Sequence, residues 1–247
     1  MFAIGTVDVN GVTLRYRALG APEAPPVVLL HGGASSAATW DRLATALVAA
    51  GHRTVAVDLR GHGGSSRTPA YPLDGYRDDV TGLLDALGLA RVALVGHSLG
   101  GHVASLVAQR RPDRVTHLVL EDPPVPPRDA ADAHGLSSPR FLLPALGLLA
   151  VRRGCDRRAV ASAVRQLRVP DPGWWERLAA VTARALWVSG GPRSHIAPRR
   201  IEEAARSTPR GRSVTVPVGH RIHSLSPERF HAQVLPFLRT GDGTVER

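Results

Sequence analysis

The chain has 247 residues and 43% hydrophobic content, enough for one large domain with a modest insertion and too little for a many-domain machine. No apolar stretch reaches the roughly 20 residues that span a bilayer, Met1–Asp8 lacks a basic-then-apolar leader, and a single cysteine, Cys155, cannot close an internal disulfide; a cytoplasmic protein that keeps clear of membranes is expected. The formal charge of +10 comes from arginine alone, since no lysine occurs, and the few interleaved aromatics exclude a stacking platform for nucleic acid.

Alternating residues around Asn10-Gly11 predict a hairpin with a two-residue turn. The run Val27–Leu30 reads as a strand buried on both faces. Trp40, Leu43, Ala44, Leu47 and Val48 recur at helical spacing, and Gly51 supplies a stop. Val55–Val57 is a further buried strand. Tyr76, Val80, Leu83, Leu84 and Leu87 mark an amphipathic helix closed by Gly88. The strand Val92–Val95 follows, then a helix from Leu99 to about Arg110, then the strand Leu118–Leu120. This alternation implies a mostly parallel sheet covered on both faces.

The rhythm breaks at Pro123, Pro124, Pro126 and Pro127, and only helix-like patterns follow to about Thr182. Strands return at Leu186–Val188 and Val214–Val216, and Ser226-Pro227-Glu228 opens a last helix. Residues 123–182 are therefore expected to form a helical cap inserted into a core made of 1–122 and 183–247. The end of the chain from Thr240 reads as frayed.

Gly96-His97-Ser98-Leu99-Gly100 carries the strongest chemical signal, because it lies directly after a buried strand and directly before a helix. Such a turn needs small residues on both sides and lifts the serine hydroxyl above the sheet edge. The helix N-terminus beneath it offers unpaired amides and a positive dipole end to a developing oxyanion. Ser98 is the expected nucleophile. The amide of Leu99 is one expected oxyanion donor, and that of Gly33, in the loop His31-Gly32-Gly33, is the other. His31 itself is expected to brace that loop.

A serine hydroxyl needs a base. Of eleven histidines, His220 follows the last strand and precedes the last helix, which brings it to the same sheet edge as Ser98. His223 is the reserve. His97, His62 and His102 are read as structural. His220-Arg221-Ile222-His223 has a helical spacing but no further zinc ligands, so neither a metal nor any other cofactor is expected.

His31-Gly32-Gly33 with Trp40, Asp58–Ser65, Gly96–Gly101 and Gly219-His220 before Pro227-Glu228 together resemble the α/β-hydrolase superfamily, in its lid-bearing serine branch. The resemblance covers nearly the whole chain. It implies an α/β-hydrolase fold: a mostly parallel central sheet flanked by helices, with a helical cap between strands six and seven. Serine at the elbow argues against the dehalogenase and epoxide-hydrolase branches, which carry aspartate there. The Asp58–Ser65 loop is implied to be architecture.

The acid departs from the pattern. Most relatives carry it after strand seven in a G-x-x-D-x-x-x-P segment. Here that stretch is Gly190–Pro198, with Ser194 where the acid belongs; Glu202 and Glu203 follow inside a helix and read as solvent-facing. Branches with the acid after strand six point to Asp122, with Glu121 as reserve on the opposite face. The expected activity is hydrolysis of an ester, thioester or lactone of a medium-sized hydrophobic small-molecule substrate through an acyl-enzyme. The alternatives are a biosynthetic lyase, cyclase or isomerase using the same pocket, or a non-catalytic binder.

The cap residues Leu142, Leu143, Leu146, Leu148, Leu149, Trp174 and Trp175 are expected to pack more than to line a pocket. Arg152, Arg153, Arg157, Arg158, Arg165 and Arg168 read first as a solvated face; the sharper reading gives them an anionic substrate or an acidic carrier protein. Cys155 among them is not expected to be reactive.

Overall fold

In the computed structural model, residues 1–134 and 154–239 are described. Leu142 through Leu149, Arg152, Arg153 and the tail from Thr240 lie outside them. Strands β1 (Ala3–Val9), β2 (Val12–Leu19), β3 (Pro26–Leu30), β4 (Arg53–Val57), β5 (Val92–His97), β6 (Val115–Glu121), β7 (Arg184–Ser189) and β8 (Gly211–Thr215) form one sheet in the order β1-β2-β4-β3-β5-β6-β7-β8. β1 pairs antiparallel with β2, and β2 with β4; every other pairing is parallel. Asn10 and Gly11 form the β1–β2 turn with φ of 50° and 75°, the positive pair that a type I′ turn requires.

The unbroken apolar runs follow from double coverage. Val28 and Leu30 belong to one core cluster with Leu94, Leu118 and Leu120. Their neighbours Val27 and Leu29 belong to the other, with Val95 and Val119. Successive strand residues point to opposite faces, so a strand clad on both sides must be apolar at every position. Helices α2 (Leu73–Ala86) and α3 (Leu99–Arg110) cover the first face. α1 (Asp41–Ala49) and the last helix, α9 (Pro227–Arg239), cover the second through Leu43, Leu47, Phe230 and Val234.

Between the neighbouring strands β6 and β7 lie α4 (Ala130–His134), α5 (Arg157–Gln166) and α6 (Pro172–Arg177). Asp156 caps α5 by accepting from the Arg158 amide, and Asp171 caps α6 by accepting from the Trp174 amide. Trp174 and Trp175 are buried. The Trp174 indole donates to Ser105 Oγ at 3.1 Å and so ties this segment to α3, while that of Trp175 donates to the Pro126 carbonyl at 2.9 Å within the segment. After β7 come α7 (Pro198–Arg206) and α8 (Ile222–Leu225). Among the described residues no helix is long and apolar enough to cross a membrane.

β3 has β4 on one side and β5 on the other. The loops leaving β3 and β5 therefore run to opposite faces and leave a crevice at their C-terminal ends. Open α/β sheets bind ligands at such a switch point. Gly33 and Ser98 stand there.

Candidate active site

The site begins with a strained turn. Ser98 has φ 50° and ψ −118°, outside the regions a side chain favours, at a cost of about 1–3 kcal/mol. Three features hold it there. The Ser98 amide donates to the Glu121 carbonyl at 2.9 Å, tying the elbow to β6. A Cβ on Gly96 would collide with the Gly100 carbonyl, and one on Gly100 with the Leu30 carbonyl. Glycine two residues on either side of the serine is thus a steric requirement.

The His31–Gly33 loop approaches from β3. A Cβ on Gly32 would lie 2.6 Å from His97 Nδ1 and 3.2 Å from Ser98 Cβ, so glycine permits the loop to touch the elbow. The buried His31 braces it: Nε2 accepts from the Leu59 amide at 3.0 Å, leaving Nδ1–H to donate to the Gly32 carbonyl at 2.7 Å. Among the described residues neither the Gly33 nor the Leu99 amide has a hydrogen-bond acceptor. Asp58 accepts from the Ala37 and Gly64 amides and from Arg15; its carboxylate ties that loop together and stands apart from the serine's contacts.

Three side chains meet in a line. His220 Nε2 lies 3.0 Å from Ser98 Oγ, and its Nδ1 lies 2.7 Å from Asp122 Oδ2. The carboxylate can only accept, so Nδ1 carries the proton and Nε2 accepts from the serine hydroxyl. Asp122 is fully buried with φ 45°. Its amide donates to the Val188 carbonyl at 2.7 Å, and Oδ1 accepts from the Gly190 amide at 2.8 Å. Oδ2 also accepts from Ser194 Oγ.

The other candidates fall elsewhere. Glu121, one residue from Asp122, turns away and accepts from the amide and Nδ1 of His223, at 2.8 and 2.7 Å. His223 Nε2 in turn accepts from Thr39 Oγ1 at 2.8 Å. Neither reserve residue contacts the serine. His97 Nε2 donates to the His220 carbonyl at 2.8 Å, so this neighbour of the nucleophile steadies the imidazole's main chain. His97, Glu121 and His223 are the one group of metal-ligand type among the described residues, with ligand atoms within 4.8 Å of one another. Both Glu121 oxygens already accept from His223, which accounts for the cluster without an ion.

Burial sets the ionisation. It pushes the Asp122 carboxyl up to about 6, against the opposing hydrogen bonds from Ser194 and Gly190. Burial also drives His220 down to about 3, aided by His223 and Arg221, which keeps the imidazole neutral and able to accept a proton. Burial works to raise Glu121, but the His223 contacts outweigh it and hold that carboxyl below its usual range.

His195 is a neighbour that the linear pattern did not single out: its ring centroid lies 4.0 Å from that of His220. Burial lowers it to about 4. Of the arginines read as one group, Arg158 pairs with Asp156 at 2.9 Å, while Arg157 and Arg165 are exposed. Glu203 pairs with Arg128 at 3.2 Å, far from an acid's role. The half-buried Cys155 bridges main chain to main chain with His62.

Comparison with known proteins agrees with this architecture. Residues 25–183 match the family described as alpha/beta hydrolase fold. The mouse sn-1-specific diacylglycerol lipase ABHD11 is 31% identical over 94% of this chain and 87% of its own. Epoxide hydrolase A of Mycobacterium tuberculosis is 40% identical over 49% of this chain, a match spanning only 39% of that relative. Among solved structures, a hydrolase from Pseudomonas aeruginosa superposes with a TM-score of 0.81 at 28% identity, covering 96% of this chain and 98% of that one. The enol-lactonase of Burkholderia xenovorans gives 0.78 at 22% identity over 96% of this chain and 100% of its own. The chain belongs to the alpha/beta hydrolase family of enzymes.

Proposed function

We propose that the protein is a serine hydrolase that cleaves an ester, thioester or lactone with a medium-sized apolar acyl part. One observation carries the reading: Ser98, His220 and Asp122 form an unbroken chain of contacts at 3.0 and 2.7 Å. Ser98 Oγ attacks the substrate carbonyl carbon while His220 Nε2 takes its proton. Asp122 holds the correct tautomer and stabilises the imidazolium. The Gly33 and Leu99 amides receive the oxyanion. His220 then gives the proton to the leaving oxygen or sulfur. Water, deprotonated by the same imidazole, releases the acid.

Residues 123–182 act in this reading as a cap over a core made of 1–122 and 183–247. Val160 of α5 lies 4.0 Å from where a Gly33 Cβ would stand, which brings the segment against the oxyanion loop. An apolar roof over the oxyanion loop suits an acyl chain. The exposed Arg157 and Arg165 would favour an anionic or carrier-borne substrate. The mouse lipase and the enol-lactonase are named for related bonds, which is consistent with this substrate class.

Turnover of p-nitrophenyl esters of graded chain length, with matched thioesters and lactones, tests the proposal. Hydrolysis by wild type that vanishes in Ser98→Ala and His220→Ala supports it. Turnover of any of these substrates that survives in Ser98→Ala contradicts an acyl-enzyme at Ser98.

A further inference from the structure

We propose that Ser194 is a positioning residue that acts through the acid, its hydroxyl clamping Asp122 in the orientation His220 needs. The inference rests on the catalytic reading of Ser98, His220 and Asp122 given above. It starts from the direction of one proton. Ser194 Oγ accepts a hydrogen bond from the Ile196 amide at 2.9 Å and touches Asp122 Oδ2. An ionised carboxylate can only accept. The hydroxyl hydrogen must therefore point at Asp122, and the Ile196 amide keeps it from rotating away.

The result is a carboxylate with a donor on each oxygen. Oδ1 takes the Gly190 amide, and Oδ2 takes both Ser194 Oγ–H and His220 Nδ1–H. Two of these three donors come from the loop after β7. That loop is bound to the one bearing His220: the Gly219 amide donates to the Gly190 carbonyl at 2.9 Å, and a Gly190 Cβ would collide with the Gly219 carbonyl. Ser194 is itself buried, 3% exposed, so water cannot easily replace its hydroxyl.

A buried carboxylate with one donor removed has two ways to recover, and both cost activity. It can swing toward another donor, or it can take up a proton. The titratable and charged groups around it are few. His220 faces it from the loop after β8, and His195 from the loop after β7. Glu121 precedes it on β6, paired with His223 of α8; His97 of β5 bonds the His220 carbonyl, and Arg221 acts on His220. None of these supplies the donor that Ser194 supplies.

The experiment compares Ser194→Thr with Ser194→Val, which share a shape and differ in the hydroxyl, with Ser194→Ala as a third variant. Activity toward a p-nitrophenyl ester is followed against pH, and the low-field NMR resonance of the His220 Nδ1 proton is titrated in the same samples. The valine and alanine variants should lose about 10- to 100-fold in kcat with little change in KM. Their acid limb and their NMR midpoint should both move up by about one pH unit, while threonine stays within a few-fold of wild type. Valine matching threonine in both readouts overturns the proposal. Valine and alanine failing to fold while threonine folds also overturns it, by assigning Ser194 to stability alone. The NMR arm needs no turnover, so an enzyme inactive on every ester would sink the hydrolase reading and still judge Ser194.

Discussion

Glu121 and Asp122 are adjacent in the chain, yet their carboxylates serve different histidines: Asp122 contacts His220 and Glu121 contacts His223. The divergence comes from the end of β6. Glu121 still belongs to the strand and points to one face, while Asp122, at φ 45°, has left it and points to the other. Two His–carboxylate pairs thus sit side by side, and only one reaches Ser98.

Replacing each acid separates the two pairs. Asp122→Asn should fold and lose roughly 10³- to 10⁴-fold in kcat, because an amide no longer fixes the tautomer or stabilises the imidazolium. Glu121→Gln should act mainly on stability. Removing a buried carboxylate that accepts from the His223 amide and ring costs about 1–3 kcal/mol, which urea unfolding would detect. Equal activity of the two variants would remove Asp122 from its assigned role.

The pH profile carries a sign that follows from burial. Asp122 is raised to about 6, so the His220–Asp122 pair takes up a proton as pH falls through that value. A protonated Asp122 cannot balance an imidazolium, so kcat/KM should be full above about pH 7 and fall below about 6. The limb belongs to the pair as a unit. A profile flat down to pH 4.5 in a protein still folded by circular dichroism would contradict this assignment.

How far this was legible in the chain differs residue by residue. Gly96–Gly100 is a local pattern whose meaning depends only on the strand before it and the helix after it, and both were readable as runs of apolar residues. His220 was legible by its place after the last strand. The acid was harder, since Asp122 and His220 are 98 residues apart and their meeting depends on a positive φ that no periodicity encodes. Ser194 and His195 were legible least. Their contacts exist only once the loops after β7 and β8 lie against each other through Gly190 and Gly219. His97, read as structural, donates to the His220 main chain, a partner that its place in the sequence did not name.

Gly32 offers a test of the oxyanion loop. A Cβ there would press on His97 Nδ1 and Ser98 Cβ, so Gly32→Ala should push the loop outward and misplace the Gly33 amide. The expected loss is about 100-fold in kcat with a modest change in melting temperature. Gly100→Ala, whose Cβ would strike the backbone of β3, should instead fail to fold or melt far lower. Similar melting curves for the two variants would contradict the steric argument.

Trp174 tests the attachment of the segment between β6 and β7. Its ring is buried, stacks on His102 with centroids 5.7 Å apart, and donates to Ser105. Trp174→Ala should destabilise the protein by about 3–5 kcal/mol, whereas Trp174→Phe should lose less because the apolar contact remains. Limited proteolysis within 123–182 should quicken in the alanine variant before global unfolding. No change in either measurement would mean that this segment is held by other contacts.

The central claim is that Ser98 is an activated nucleophile. Intact mass after reaction with a fluorophosphonate, followed by peptide mapping, tests it most directly. The account predicts one adduct per chain on Ser98, absent in Ser98→Ala and slowed strongly in His220→Ala. Wild type that stays unlabelled while folded, or labels at another residue, would contradict it.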